Sequence, residues 1–187
     1  MAQIKILIEG YLSADSGGKT CPTITLVRDE RLNIIIDPGT TPTAETIVEA
    51  LAKEGLSPDD INIVFLTHSH YDHFKNISIF SKAKLLDYWG LWDNDKLESA
   101  PEDLTDDIKI IKTPGHSDDN ITMLVKTEKG IVAICGDVYF KENFPEIDPY
   151  ASDNAALFLS RELIKKSADF IIPGHGRMFA AKPQNCG

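Results

Sequence analysis

The amino-acid sequence predicts an α/β or α+β sandwich, with sheet inside and helices outside. Three observations carry that expectation. Short apolar runs separated by polar turns fill the first 36 residues, two amphipathic helical patterns come later, and a short continuous apolar run follows each helix. Strands and helices in that order bury a sheet beneath helical layers.

Ile4, Ile6 and Ile8 alternate with polar residues, as in a half-buried strand, and residues 10–19 form a loop rich in Ser, Gly and Asp. Residues 23–28 and 32–36 read as two more strands joined by Asp29-Glu30-Arg31, giving an antiparallel meander. Asp37-Pro38-Gly39 stops the third strand. Pro42 then precedes an expected N-cap at Thr43, and a helix presents Ile47, Val48, Leu51 and Ala52 on one face before Gly55 ends it. Residues 61–66 are continuously apolar apart from Asn62, the pattern of a strand buried on both faces. Thr67 closes that strand and Asn76 is expected to cap a short helix. Residues 84–86 and 108–111 are further strands, and 121–125 with 131–134 form a hairpin around Glu128-Lys129-Gly130. Ser152 or Asp153 caps a second long helix reaching about Ser167; residues 169–172 are the last expected strand, and 176–187 a short tail. The whole, 1–187, has the size of one domain.

With 42% hydrophobic residues the chain can bury a sizeable core, while a net charge of -10 repels polyanions, so nucleic acid and anionic membrane are poor partners. No apolar stretch approaches the ~20 residues of a membrane helix, and the N-terminus reads as a strand with no basic segment before it. Cys21, Cys135 and Cys186 make no close pair, which argues against a disulfide framework. A cytoplasmic location is the expectation.

Chemistry concentrates at the strand ends. Thr67-His68-Ser69-His70-Tyr71-Asp72-His73 places three histidines and an aspartate within six residues. A straight strand would divide them between two faces; a loop lets them converge. They exceed what one open catalytic metal takes from a protein, usually three ligands, and so invite a second. Three other segments repeat one design, an apolar strand ending in Gly or Pro-Gly before a ligand-type residue: Pro114-Gly115-His116, Gly136-Asp137 and Pro173-Gly174-His175. Taken singly, His116 or His175 is an ordinary hydrogen-bonded histidine, and the first cluster alone is compatible with a structural metal, although structural zinc favours cysteines. Taken jointly, all five histidines of the chain fall in these segments, which points to a metal or catalytic site.

His68-Ser69-His70-Tyr71-Asp72-His73, with Asp37-Pro38-Gly39 before it and His116, Asp137 and His175 after it in that order, resembles the metallo-β-lactamase-fold superfamily. The resemblance spans Asp37 to His175. It implies a four-layer αββα sandwich of two mixed β-sheets, helices on the outer faces and metals at one edge. It also implies that His68, His70 and His116 hold one metal, that Asp72, His73 and His175 hold a second, and that Asp137 bridges both. Asp37 matches a position near the metals but not on them. The ions implied are two divalent cations, zinc first, with iron or manganese open. β-Lactamases proper usually carry Cys at the position of Asp137, and flavodiiron relatives a Glu at that of His70, so the chain departs from both. The added helical domain of the glyoxalase II branch and the inserted domain of the long nucleases have no counterpart in this sequence, which leaves the small single-domain hydrolases.

The expected reaction is hydrolysis of a small ester, thioester, lactone or amide by metal-activated water, with Asp72 and Asp137 as the catalytic carboxylates and Asp72 also accepting or passing a proton. The alternatives are a phosphodiesterase or nuclease using the same metals, a mononuclear-iron thiol dioxygenase, and a metal-binding module without activity. A nuclease should carry a basic track, which this sequence lacks. The partner expected is a small-molecule substrate; the oligomeric state is open. Residues 87–107, with Tyr88, Trp89 and Trp92, and residues 139–150, with Tyr139, Phe140, Phe144 and Tyr150 around Pro145 and Pro149, read as loops that either wall the site or pack beneath themselves. Ser117, Asp118, Asp119 and Asn120 either orient substrate or turn the chain. Cys135 is expected to be a buried, inert thiol.

Overall fold

The computed structural model describes residues 1–144 and 147–182; Pro145 and Cys186 lie outside the described residues. In chain order the elements are β1 (Gln3–Ile8), α1 (Ser13–Ser16), β2 (Ile24–Asp29), β3 (Leu32–Ile36), α2 (Glu45–Lys53), β4 (Ile63–Phe65), α3 (Tyr71–Phe74), β5 (Lys84–Leu86), β6 (Leu91–Asp93), β7 (Lys96–Glu98), β8 (Asp103–Thr105), β9 (Ile108–Lys112), β10 (Ile121–Thr127), β11 (Gly130–Ile134), α4 (Asn154–Ser167), β12 (Phe170–Ile172) and β13 (Phe179–Ala180). Among the described residues they make one sheet in the order β1-β2-β3-β4-β5-β6-β7 and a second in the order β13-β12-β11-β10-β9-β8.

Alternation along the strands divides the core into three layers of contact. Ile34, Ile36, Phe65, Ile110, Met123 and Ile134 meet between the two sheets. Ile35 and Val64, on the opposite face of the first sheet, pack under Ile47 and Leu51 of α2. Ala133 and Ile171 of the second sheet pack under Leu157 and Ile164 of α4. Helix, sheet, sheet, helix is the expected four-layer arrangement. Phe65 is fully buried in the middle layer, so Phe65→Ala should cost about 3–5 kcal/mol, read as a lowered urea midpoint at unchanged m-value.

Strand direction decides where ligands gather. β3, β4 and β5 are parallel neighbours, so Ile36, Phe65 and Leu86 end at one rim. β9 and β11 both run antiparallel to β10, and β12 runs parallel to β11. Their C-terminal ends therefore also share one rim. The sheets are tied there: the Ile121 N–H donates to the Thr67 carbonyl at 2.8 Å and the Thr23 N–H to the Gly174 carbonyl at 2.6 Å.

Several local expectations change. Residues 87–107 are not a loop: β6, β7 and β8 extend the two sheets, because backbone pairing with β5 and β9 stabilises three-residue strands too short and acidic to show a period. The tail adds the edge strand β13 beside β12. α2 starts one residue later than an N-cap at Thr43 would place it; Ala44 holds the cap position, with no side-chain hydrogen bond. Asn76 does not cap a helix with its side chain; its Nδ2 donates to the Gly39 carbonyl and to Thr41 Oγ1, 2.6 and 3.1 Å away, pinning the Asp37-Pro38-Gly39 turn. Asp153, not Ser152, caps α4, accepting from the Ala155 and Ala156 N–H groups.

Cys21 and Cys135 are fully buried. Burial pushes the Cys21 thiol up to about 11, helped by the charge of Asp72, and burial raises the Cys135 thiol further still. In a Cys186→Ser background, neither should react with a thiol reagent at pH 8 until the protein is unfolded.

Candidate metal centre

The seven residues expected as ligands come together at the shared rim in two groups. His68, His70, His116 and Asp137 offer atoms within 4.8 Å of one another, and so do Asp72, His73 and His175. His68 and His70 come from the loop after β4, Asp72 and His73 from the single turn of α3, and His116, Asp137 and His175 from the ends of β9, β11 and β12. Asp137 belongs to both groups by distance. Its Oδ2 lies 3.5 Å from His116 Nε2, whereas its Oδ1 lies 3.4 Å from His73 Nε2 and 3.3 Å from His175 Nε2. The far edge of the second group is Asp72 Oδ2, 3.5 Å from His175 Nε2.

Backbone without side chains makes this approach possible. A Cβ on Gly174 would land on Asp137 Oδ1, and one on Gly136, which has a left-handed φ of 53°, would land on Thr67 Oγ1. The Pro-Gly and Gly-Asp punctuation at the strand ends is thus a steric requirement of the site.

The outer hydrogen bonds fix which ring nitrogens face inward. The Thr67 hydroxyl donates to Asp37 Oδ2 at 2.7 Å, so its oxygen accepts from His68 Nδ1–H at 3.0 Å. His73 Nδ1–H donates to Asp37 Oδ2 at 2.9 Å, His116 Nδ1–H to Asp148 Oδ2 at 2.8 Å, and His175 Nδ1–H to the Cys21 carbonyl at 2.9 Å. These four rings therefore turn Nε2 lone pairs to the centre. His70 brings its Nδ1 to 3.0 Å from His68 Nε2 and 2.9 Å from His116 Nε2. With neutral rings, those three nitrogens share at most one proton. Among the described residues, His73 Nε2 and Asp137 Oδ1 are buried with no hydrogen-bond partner. Converging lone pairs and orphaned buried atoms are costly unless a cation sits among them. A nitrogen-and-carboxylate donor set suits a divalent one.

The electrostatics divide the two groups, keeping His68 and His70 of the first neutral and letting protons take the place of a cation at His73 and His175 of the second. Burial and the neighbouring His73 hold His68 well below the usual histidine range, and burial with His116 lowers His70. Burial opposes charge on His73 too, but Asp137 and Asp37 outweigh it and raise His73 well above that range; Asp137 likewise raises His175. Against its own burial, Asp137 is held far below the carboxylate range by His73 and His175. A buried carboxylate anion thus stands at the centre of five imidazoles.

Asp37 sits behind His73 and the Thr67 loop, as the resemblance implies, and touches none of the inward nitrogens: its Oδ1 accepts the Thr67 N–H at 2.8 Å. Asp118, Asp119 and Asn120 serve the fold. Asp119 accepts the Ser69 N–H at 3.0 Å, clamping the turn between His68 and His70. Asp118 accepts from Ser152, and Asn120 donates to the Cys135 carbonyl. Of the aromatics, Phe140 walls the centre, its ring 5.0 Å from that of His116 and stacked 6.0 Å from that of His175. Tyr139 points the other way, donating to the Arg161 carbonyl and packing on Phe179. Tyr88 lies under Lys112 and on the inter-sheet core, Trp92 donates to Asp87, and Trp89 is 68% exposed. Asp148 was not singled out from the sequence; a lone aspartate between Ile147 and Pro149 carries no spacing signal.

The model of the metallo-beta-lactamase superfamily matches residues 22–86. The chain is 32% identical over 189 aligned positions to metallo-beta-lactamase domain-containing protein 1 of Xenopus laevis, covering 94% of this chain and 80% of the frog protein. It is 26% identical to an N-acyl homoserine lactonase of Bacillus cereus, over 70% of this chain and 62% of the lactonase. A Thermotoga maritima crystal structure described as a metallo-beta-lactamase superposes with a TM-score of 0.74 at 26% identity, covering 96% of this chain and 99% of that one. Fold and site together define a metal-dependent hydrolase. The chain belongs to the metallo-beta-lactamase superfamily, on the branch of metallo-beta-lactamase domain-containing protein 1.

Proposed function

We propose that the chain is a di-metal hydrolase of a small ester, thioester, lactone or amide, with zinc the first candidate ion. In this reading His68, His70 and His116 would hold one ion, Asp72, His73 and His175 would hold the other, and Asp137 would serve both. The observation that carries it is the division of Asp137, whose Oδ2 faces His116 while its Oδ1 faces His73 and His175. Such a pair supplies an activated water and a Lewis acid when bound.

The protein's own residues do the rest. Asp37, Thr67, Asp148 and the Cys21 carbonyl hold four imidazoles in the donating tautomer. Asp137, with a side chain 4% exposed, stays anionic and screened from solvent. Asp72, whose side chain is 28% exposed, is the carboxylate that reaches solvent; it would take the proton released by the attacking water and pass it to the leaving group. Phe140 excludes water from one wall. A shallow cavity of about 420 Å³ borders His175 and is lined by Tyr11, Lys141, Asn143 and Arg177, a size for a small substrate. The lactonase relative supports a carbonyl substrate, and the net charge of -10 disfavours a polyanion.

The test is metal analysis of protein purified without added metal, followed by turnover of thioester, lactone, β-lactam and phosphodiester probes. Two ions per chain with ester-type hydrolysis is expected. One iron per chain with no hydrolysis would refute the reading in favour of a thiol dioxygenase; phosphodiester turnover alone would replace the substrate class.

A further inference from the structure

Asp148 is a buried carboxylate that the reaction above uses only through a neighbour. Its side chain is 0% exposed, and its Oδ2 lies 2.8 Å from His116 Nδ1. Its Oδ1 accepts the Tyr150 N–H at 2.8 Å, its own N–H donates to Asn154 Oδ1 at 3.0 Å, and its carbonyl accepts from Asn154 Nδ2 at 3.1 Å. The short segment before α4 is thereby locked with one oxygen aimed at the back of His116.

The four buried histidines fall into two kinds. His68 and His175 donate their outer N–H to neutral oxygens, the Thr67 hydroxyl and the Cys21 carbonyl. His73 and His116 donate theirs to carboxylates, Asp37 and Asp148. Each ligand group therefore holds one carboxylate-backed imidazole, the first through Asp148 and the second through Asp37. A carboxylate behind an imidazole makes the opposite nitrogen a better donor and fixes its ring. The first group needs this more, because His70 is exposed and, among the described residues, its ring is oriented by neither oxygen nor carboxylate.

We infer that Asp148 is the positioning residue for the first ion: it sets the tautomer and donor strength of His116, and so the affinity of the His68–His70–His116 site, without touching that ion. The inference rests on the two-ion reading above.

Cobalt(II) titration of the metal-free chain, followed by visible absorption and by stoichiometry, separates the two. Wild type should bind two ions. Asp148→Asn, which removes the charge but keeps the shape, should lose about 10–100-fold in affinity at one site. The absorption it loses should be the absorption lost in His116→Ala. Asn154→Ala loosens the same loop tether but leaves the Asp148 carboxylate in place, and should weaken that site less than Asp148→Asn does. If wild type takes two ions and Asp148→Asn holds both as tightly, or if Asn154→Ala weakens the same site equally, the role of Asp148 is overturned and the two-ion reading stands. A wild type that takes fewer than two ions overturns both. Should Asp148→Asn not fold, the zinc-loaded wild type carries the test: the His116 Nδ1 proton should resonate far downfield, as a ring N–H bound to a carboxylate does, and its absence there overturns the proposal.

Discussion

On the two-ion reading, Asp137→Asn is expected to leave the protein with one tightly bound ion instead of two, and to lower turnover by roughly a thousandfold. The magnitude follows from the several kcal/mol of charge stabilisation a metal supplies, at 1.4 kcal/mol per tenfold. The amide keeps the shape of the side chain but not its charge. One of the two positions facing His116 and the His73–His175 pair becomes a neutral oxygen, the other an NH₂ that cannot bind a cation. The measurements are ion content after dialysis and kcat at saturating substrate, with the melting temperature as control for folding. Full ion content and full turnover would remove Asp137 from the centre. Gly174→Ala offers an independent route to the same outcome: its methyl group would displace Asp137 Oδ1 while leaving every ligand in place chemically. It should reproduce the loss of the second ion in part, and its failure to do so would mean that the β12 turn yields more readily than close packing suggests.

The ligand-type residues were legible through two local signals: His68, His70, Asp72 and His73 crowd into six residues, while His116, Asp137 and His175 each follow a glycine at the end of an apolar strand. The rim they share was not. It depends on β9 and β11 both opposing β10 and on β12 running parallel to β11, long-range pairings that no window of sequence shows. The outer partners divide the same way. Asp37 was placed near the metals by the family resemblance, its Asp-Pro-Gly turn alone marking only the end of a strand, and Thr67 stood next to the histidines, yet its hydroxyl role needs the position of Asp37. Asp148 reaches His116 across 32 residues of chain, a contact set by the docking of α4. Among the aromatics, adjacent Tyr139 and Phe140 take opposite sides, one packed under α4 and one against the imidazoles. Sequence composition alone cannot divide two neighbours of like chemistry when the backbone between them leaves regular structure.

Stripping the metals should lower the melting temperature by roughly 15–30 °C. An ion present at a thousand times its Kd stabilises the folded chain by about 4 kcal/mol, two by about 8, and a domain of this size shifts by roughly 2–4 °C per kcal/mol. The gap should depend on pH, with a sign the site dictates. In the metal-free chain His73 and His175 are raised above the usual histidine range by Asp137, so protons compete with the ion at Nε2 as pH falls toward and below that range. Their raised affinity for protons stabilises the metal-free fold most fully below the unfolded value near 6.5, and that contribution is lost as pH rises through the raised folded value. The metal-loaded fold, whose imidazoles are neutral, gains nothing from those protons. Metal-free and loaded melting curves should therefore converge between pH 8 and about 6.5 and part again when pH is restored. His68 and His70 add no competition in that window, because burial and their histidine neighbours keep them neutral. A gap that stays constant from pH 8 to 6.5 would show that the ions do not bind at His73 and His175, and would place them on groups that hold no proton there.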